Sequence, residues 1–175
     1  MKKNADRFVH AVFCDDIRRE VGDKMSLMGC YQSELFVPFL PVVLPKLCVF
    51  VTISTPVKRP LKVLKIRLDQ DENQLALIEV SGDDLINAIP RAEKNVTRIL
   101  ASAGVVLSPF VITVPSEIRV VVVTEEGEII GPRLRIKKLP EQAATAAAPS
   151  NATDSARKVR KAPTKKHAVR HAPSK

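Results

Sequence analysis

Aromatic side chains are scarce: the 175 residues hold no Trp, one Tyr and six Phe. A core short of large rings must be filled by Val, Ile and Leu, and an apolar fraction of 45% supplies them. β-Branched side chains pack well on a pleated face and lose rotamer freedom in helices, so this composition points to strands. Glycine is also sparse, at six residues. No phosphate-cradling glycine loop, serine nucleophile elbow or HExxH helix is present, which removes the commonest sequence grounds for nucleotide or hydrolase chemistry.

Cysteine is limited to Cys14, Cys30 and Cys48. The count is odd and the spacings fit no zinc pattern. No export signal is evident, because Met1, Lys2 and Lys3 are followed by Asn4, Ala5, Asp6 and Arg7 where an apolar run is needed. The expected compartment is the cytoplasm, with reduced thiols. One segment, Leu35 to Ile53, is almost wholly apolar but is interrupted by Pro38, Pro41, Pro45 and Lys46. Prolines this dense remove helix donors and clash with the preceding turn, so the segment reads as an extended connection feeding a buried strand and not as a membrane span.

Acidic residues are absent from the last 19 positions. Residues 157–175 carry Arg157, Lys158, Arg160, Lys161, Lys165, Lys166, Arg170 and Lys175, a charge of +8, out of +9 for the chain. The remaining residues hold 20 basic and 19 acidic side chains. Before the basic run lies EQAATAAAPSNATDSA, a low-complexity stretch. A segment so poor in large apolar residues buries too little surface to offset its ordering entropy. The expected organisation is a domain over 1–139 and a disordered Ala/Pro/Lys/Arg-rich tail over 140–175.

Within the domain, periodicity of two marks most segments. Phe8 to Ile17 reads as a first strand with Phe8, His10, Val12 and Cys14 on one face, and Gly22-Asp23 as a turn. Lys24 to Val37 gives a strand or strand pair, with Gly29 a candidate bulge. Lys46 to Thr55 is apolar on both faces at its start and is expected at the centre of a sheet. Leu61 to Leu68 and Gln74 to Val80 form a hairpin around Asp69 to Asn73. Residues 81–103 break the rhythm: Ser81 or Asp83 would cap a helix, and Val96, Ile99, Leu100 and Ala103 are spaced as one over Ala92 to Ala103, stopped by Gly104. Strands resume over Val105 to Val114, Glu117 to Thr124 and Ile129 to Leu139. Seven or eight short strands with frequent turns predict a mainly β protein, an antiparallel β-sandwich of immunoglobulin-like or C2-like shape with one short helix.

The run Cys14-Asp15-Asp16-Ile17-Arg18-Arg19-Glu20-Val21-Gly22-Asp23-Lys24-Met25-Ser26-Leu27-Met28-Gly29-Cys30-Tyr31, with Leu44-Pro45-Lys46-Leu47 and Gly131-Pro132-Arg133-Leu134, resembles a family of uncharacterised bacterial proteins carrying a domain of unknown function. The resemblance spans roughly residues 8–138 and leaves out the tail. It implies a small β-rich domain and brings no activity, cofactor or catalytic residue. The segment from Asp83 to Ser102 is longer than the linking loop expected in that family, so the strand order of the second half stays open.

Three constellations bear on chemistry. On a strand, His10, Cys14 and Asp16 share a face, and an imidazole beside a thiol would make a nucleophile; a buried small hydrophobe beside a surface histidine is the plainer reading. Asp15, Asp16, Asp69, Asp71, Glu72, Asp83 and Asp84 lie near turns, but none has the regular carboxylate and glycine spacing of a calcium loop. His167 and His171 stand four apart, yet sit among repelling cations. No catalytic, cofactor-binding or metal-ligating residue is assigned, and the domain is read as no enzyme. The eight tail cations are the candidate contacts for nucleic acid or another polyanion. Each phosphate they neutralise releases counterions, giving a log-log salt slope of up to about −7 if all eight engage duplex DNA. No aromatic is present there for base stacking, so binding would be weak and independent of sequence. The expected function is a non-catalytic interaction or structural domain with this tail. The alternative is a protein-binding accessory or regulatory module, of host–phage type among others, acting through a sheet edge or the Val37 to Pro45 segment.

Overall fold

The computed structural model describes residues 6–22, 24–87 and 96–140. Its elements follow from two-residue alternation. In β6 (Leu47–Pro56), Val49, Val51, Ile53 and Thr55 are buried while Phe50, Thr52 and Ser54 are only half so. Leu47, Cys48 and Val49 are buried in succession, which marks the covered, central start the sequence predicts. β6 pairs antiparallel with β1 (Phe8–Cys14) on one side and β9 (Arg98–Leu107) on the other, so the first sheet has the order β1-β6-β9.

The second sheet contains β4 (Glu34–Val37), β7 (Leu64–Gln70), β8 (Asn73–Val80), β11 (Ser116–Thr124) and β12 (Gly127–Lys138), in the order β4-β12-β11-β7-β8. Leu64, Ile66 and Leu68 of β7 point inward and Lys65 and Arg67 outward, as their alternation predicts. All pairings in this sheet are antiparallel except one: β4 runs parallel to β12, with Glu34 opposite Arg135. A register shift between Arg119 and Val121 lets Val120, Val121 and Val122 all be buried, which simple alternation forbids. The inner faces of both sheets meet in one apolar core, built from Phe13, Val51 and Ile53 on one side and Ile66, Leu68, Ile118 and Leu134 on the other. The sheets touch at one side, where β1 leans on β12: a Cβ at Gly131 would lie 3.0 Å from Val9 Cγ1.

Two small ribbons complete the fold, β2 (Asp16–Glu20) with β3 (Lys24–Met28) and β5 (Val42–Leu44) with β10 (Phe110–Ile112). The expected first strand is therefore two. It breaks at Asp15, whose amide bonds Met28 O at 2.9 Å. Gly29 is no bulge but a turn residue with φ of 65°, and a Cβ there would sit 2.0 Å from Asp15 Oδ2.

The helix expected over Ala92 to Ala103 is a correction. Residues 88–95 lie outside those described, and Arg98–Leu107 is a strand paired along its whole length with β6. Ile99, Ala101, Ala103, Val105 and Leu107 form an inner face of period two hidden within the three-and-four spacing, and ten registered pairs outweigh local helix preference. The one described helix, α1 (Gly82–Asn87), lies earlier. Ser81 caps it as expected: Ser81 Oγ accepts from Asp84 N at 3.2 Å.

Candidate functional site

The break at Asp15 decides the fate of the first constellation. Cys14 ends β1 and Asp16 begins β2, so the two no longer share a continuous strand face. His10 lies opposite Thr52 and is exposed, whereas Cys14 is fully buried opposite Cys48. Four residues of strand separate His10 from Cys14, about 13 Å. Burial, then the neighbouring Cys48, Cys30 and Asp15, push the Cys14 thiol up to about 11. Such a thiol stays protonated at neutral pH, while nucleophilic attack requires the thiolate. Asp16 is turned away: its carboxylate accepts from Lys46 Nζ at 2.7 Å and Arg18 Nε at 2.9 Å, and these bonds hold it at about 2. Asp15 accepts a short hydrogen bond from the Tyr31 hydroxyl. The structure does not bring His10, Cys14 and Asp16 together.

Of the remaining turn carboxylates, three are engaged separately. Asp69 takes both of its bonds from Arg67 Nε at 2.9 Å, Asp71 accepts from the Glu117 amide at 3.1 Å, and Asp84 accepts from Ser81 Oγ at 2.7 Å. Among the described residues, no three His, Cys, Asp or Glu side chains converge as a metal site would require.

Two charged clusters escape the sequence reading, because each joins residues distant along the chain. On the outer face of the second sheet, Glu117 draws Arg119 (2.6 Å), Arg133 (3.2 Å) and Arg135 (3.6 Å) beside a shallow groove of about 440 Å³. At one end of the fold, Arg7 is buried, donating to Thr55 Oγ1 at 3.2 Å and to Glu125 at 2.5 Å, with Glu126 at 3.5 Å. Burial alone would raise the Glu125 pKa. The bonds from Arg7 and from the amides of Lys62 and Val63 outweigh it and hold Glu125 at about 2. Arg7 Nη1 and Glu126 Oε2 have no hydrogen-bond partner among the described residues and lie beside a cleft of about 270 Å³ open enough for water.

The eight tail cations Arg157, Lys158, Arg160, Lys161, Lys165, Lys166, Arg170 and Lys175, and the pair His167 and His171, lie outside the described residues. What the structure adds is the state of the domain's own cations. Lys65 pairs with Glu79, Arg67 with Asp69 and Glu128, Lys137 with Glu34, and Arg59 with Asp6. These pairs compensate part of the outward charge, while Arg119, Arg133 and Arg135 share one carboxylate.

The two surfaces suggested for protein contact are both present. The Val37 to Pro45 segment contains β5 and exposes Phe39 and Val43. β9 is the outermost strand of its sheet: among the described residues, no strand pairs with its second side. Its length and position were hidden from the sequence by the competing helical spacing. None of the described helices is long and apolar enough to cross a membrane.

A family model matches residues 9–137, and the family it describes is one of unknown function, DUF6941. No curated protein matches the chain.

Proposed function

The chain belongs to this family of unknown function, and from that premise we propose that its domain is a non-catalytic interaction module of the cytoplasm whose basic tail attaches it to nucleic acid or another polyanion. The observation that carries this reading is the segregation of charge. Eight uncompensated cations fall within residues 157–175, while 20 basic and 19 acidic side chains occupy the rest. Some of the domain's outward cations are spent on neighbouring carboxylates, and Arg119, Arg133 and Arg135 share the one carboxylate of Glu117, so the tail is the denser source of attraction for phosphate. Fluorescence anisotropy with duplex DNA over a salt series tests it, comparing the full chain with residues 1–139. The full chain is expected to bind with a log-log slope of up to about −7, and the truncated chain to lose that binding. Equal binding by the two chains overturns the reading.

A second reading is a protein-binding accessory module, and the unpaired side of β9 favours it, since a bare strand edge offers main-chain donors and acceptors to an incoming strand. Capture of a protein partner that persists after nuclease treatment supports this reading, and loss of all captured protein on nuclease treatment counts against it.

A further inference from the structure

Exposed sheet edges ordinarily carry some device against pairing with another chain: charge, proline, shortness or cover. Three of the four edges of the two main sheets have one. β4 is four residues long, and its Glu34 is tied to Lys137. β8 carries Glu79 next to its last residue, paired with Lys65. The free side of β1 is covered by β12, where Val9 meets Gly131. β9 has none. It is ten residues long, contains no proline, and begins a stretch, Ile99 to Ser116, without a single charged residue. Its one cation, Arg98, is drawn away from the edge: Nε donates to Ser54 Oγ at 2.6 Å, and the guanidinium lies 5.0 Å from the centre of the Phe8 ring, across the sheet.

We propose that β9 pairs antiparallel with β9 of a second copy of this chain, joining two three-stranded sheets into one of six strands. The side chains favour this occupant. An antiparallel pair continuing the sheet must keep inner faces inner, so the two-fold axis passes through a residue and not between two. Centred on Ala103, it sets exposed Leu100, 65% accessible, against Val106 of the second copy, 54% accessible, and does so twice. It sets Ile99 against Leu107 on the inner face and Ser102 against Gly104, the least bulky contact, near the middle. No like charges are opposed anywhere along the strand. Apolar cross-strand pairs of this kind are the unit by which sheets are stabilised. The inference uses the same edge as the second reading above and commits it to one occupant.

Sedimentation and light scattering on the full chain across a concentration series test it. The expected wild-type particle has twice the 19.3 kDa chain mass. The double variant Leu100→Lys/Val106→Lys opposes two lysine pairs across the axis and is expected to be monomeric, as is Leu100→Glu/Val106→Glu. Mixing the two variants is expected to restore a particle of two chains, because the opposed charges then attract. Should a variant fail to fold, concentration-dependent protection of the β9 amides from hydrogen exchange in the wild type replaces it. A monomeric wild type at all concentrations, a lysine variant that still dimerises, or β9 amides equally protected at all concentrations overturns the proposal. A monomer that nevertheless captures another protein overturns self-pairing and leaves the second reading standing.

Discussion

Arg7 and Glu125 show how much a single pair of residues can hold. Arg7 is buried, and two oxygens of Glu125 together receive its guanidinium and the amides of Lys62 and Val63. Removing one partner of a buried ion pair leaves the other's charge uncompensated, a cost of roughly 3–5 kcal/mol. The titration has a definite sign. Glu125 sits at about 2 in the folded chain against an ordinary 4.5, so its contribution to stability is complete above about pH 4.5 and fades as pH falls toward 2. Glu125 is itself exposed, so solvent screening holds that contribution below the full linkage value of the shift. Chemical denaturation of the wild type and Glu125→Gln at several pH values checks this. The stability difference is expected to be largest above pH 5 and to shrink steadily below 4.5; a difference independent of pH would show that the pair does not titrate as described. Asp16 and Glu117 are also held low, by Lys46 with Arg18 and by Arg119 with Arg133. They are common to both proteins, so the comparison isolates Glu125.

At the scale of the element, β6 offers the sharpest test of which face is which. Ile53 is fully buried and Thr52, its neighbour, faces outward with its hydroxyl 3.1 Å from Ser102. Ile53→Ala is expected to cost about 2–5 kcal/mol of unfolding free energy, and Thr52→Ala under about 1 kcal/mol, both read from urea denaturation; equal costs would contradict the register. Strands of this sort were legible in the sequence because burial on one face leaves a period of two, as in Leu64, Ile66 and Leu68. Two kinds of feature were not. Ile99 and Ala103 fit both a helical and a strand period, and only the partner strand, about fifty residues away, decides between them. At Asp15 the chain turns out of β1 because Met28, Gly29 and Tyr31 close around it, a contact between residues that a linear reading places on one continuous strand. The same breaks dissolved the His10, Cys14 and Asp16 constellation, which depended on an unbroken strand. The ion clusters of Arg7 and Glu117 were invisible for a related reason: their members are up to 119 positions apart and meet only after folding.

At the scale of the whole molecule, the edge and the tail interact. A chain pairing through β9 brings two +8 tails into one particle, and a second tail binding the same polyanion binds intramolecularly. Linking two weak sites in this way raises overall affinity by about 10²–10⁴ where the polyanion spans both, without any new contact. Simple charge and pairing then make opposite predictions for Leu100→Lys/Val106→Lys. That variant carries two more positive charges per chain, so electrostatics alone would make it the tighter binder of DNA. Loss of pairing would make it the weaker one on long duplexes while leaving binding to a duplex long enough for one tail unchanged or slightly stronger. Anisotropy titrations of both proteins against a short and a long duplex, at protein concentrations where the wild type is paired, separate the two. The wild type is expected to bind the long duplex at least tenfold more tightly than the variant, with a salt slope near twice that seen on the short one. A variant that binds both lengths more tightly than the wild type would show that the tails act singly and that the pairing of the domain, if it occurs, does not serve the attachment.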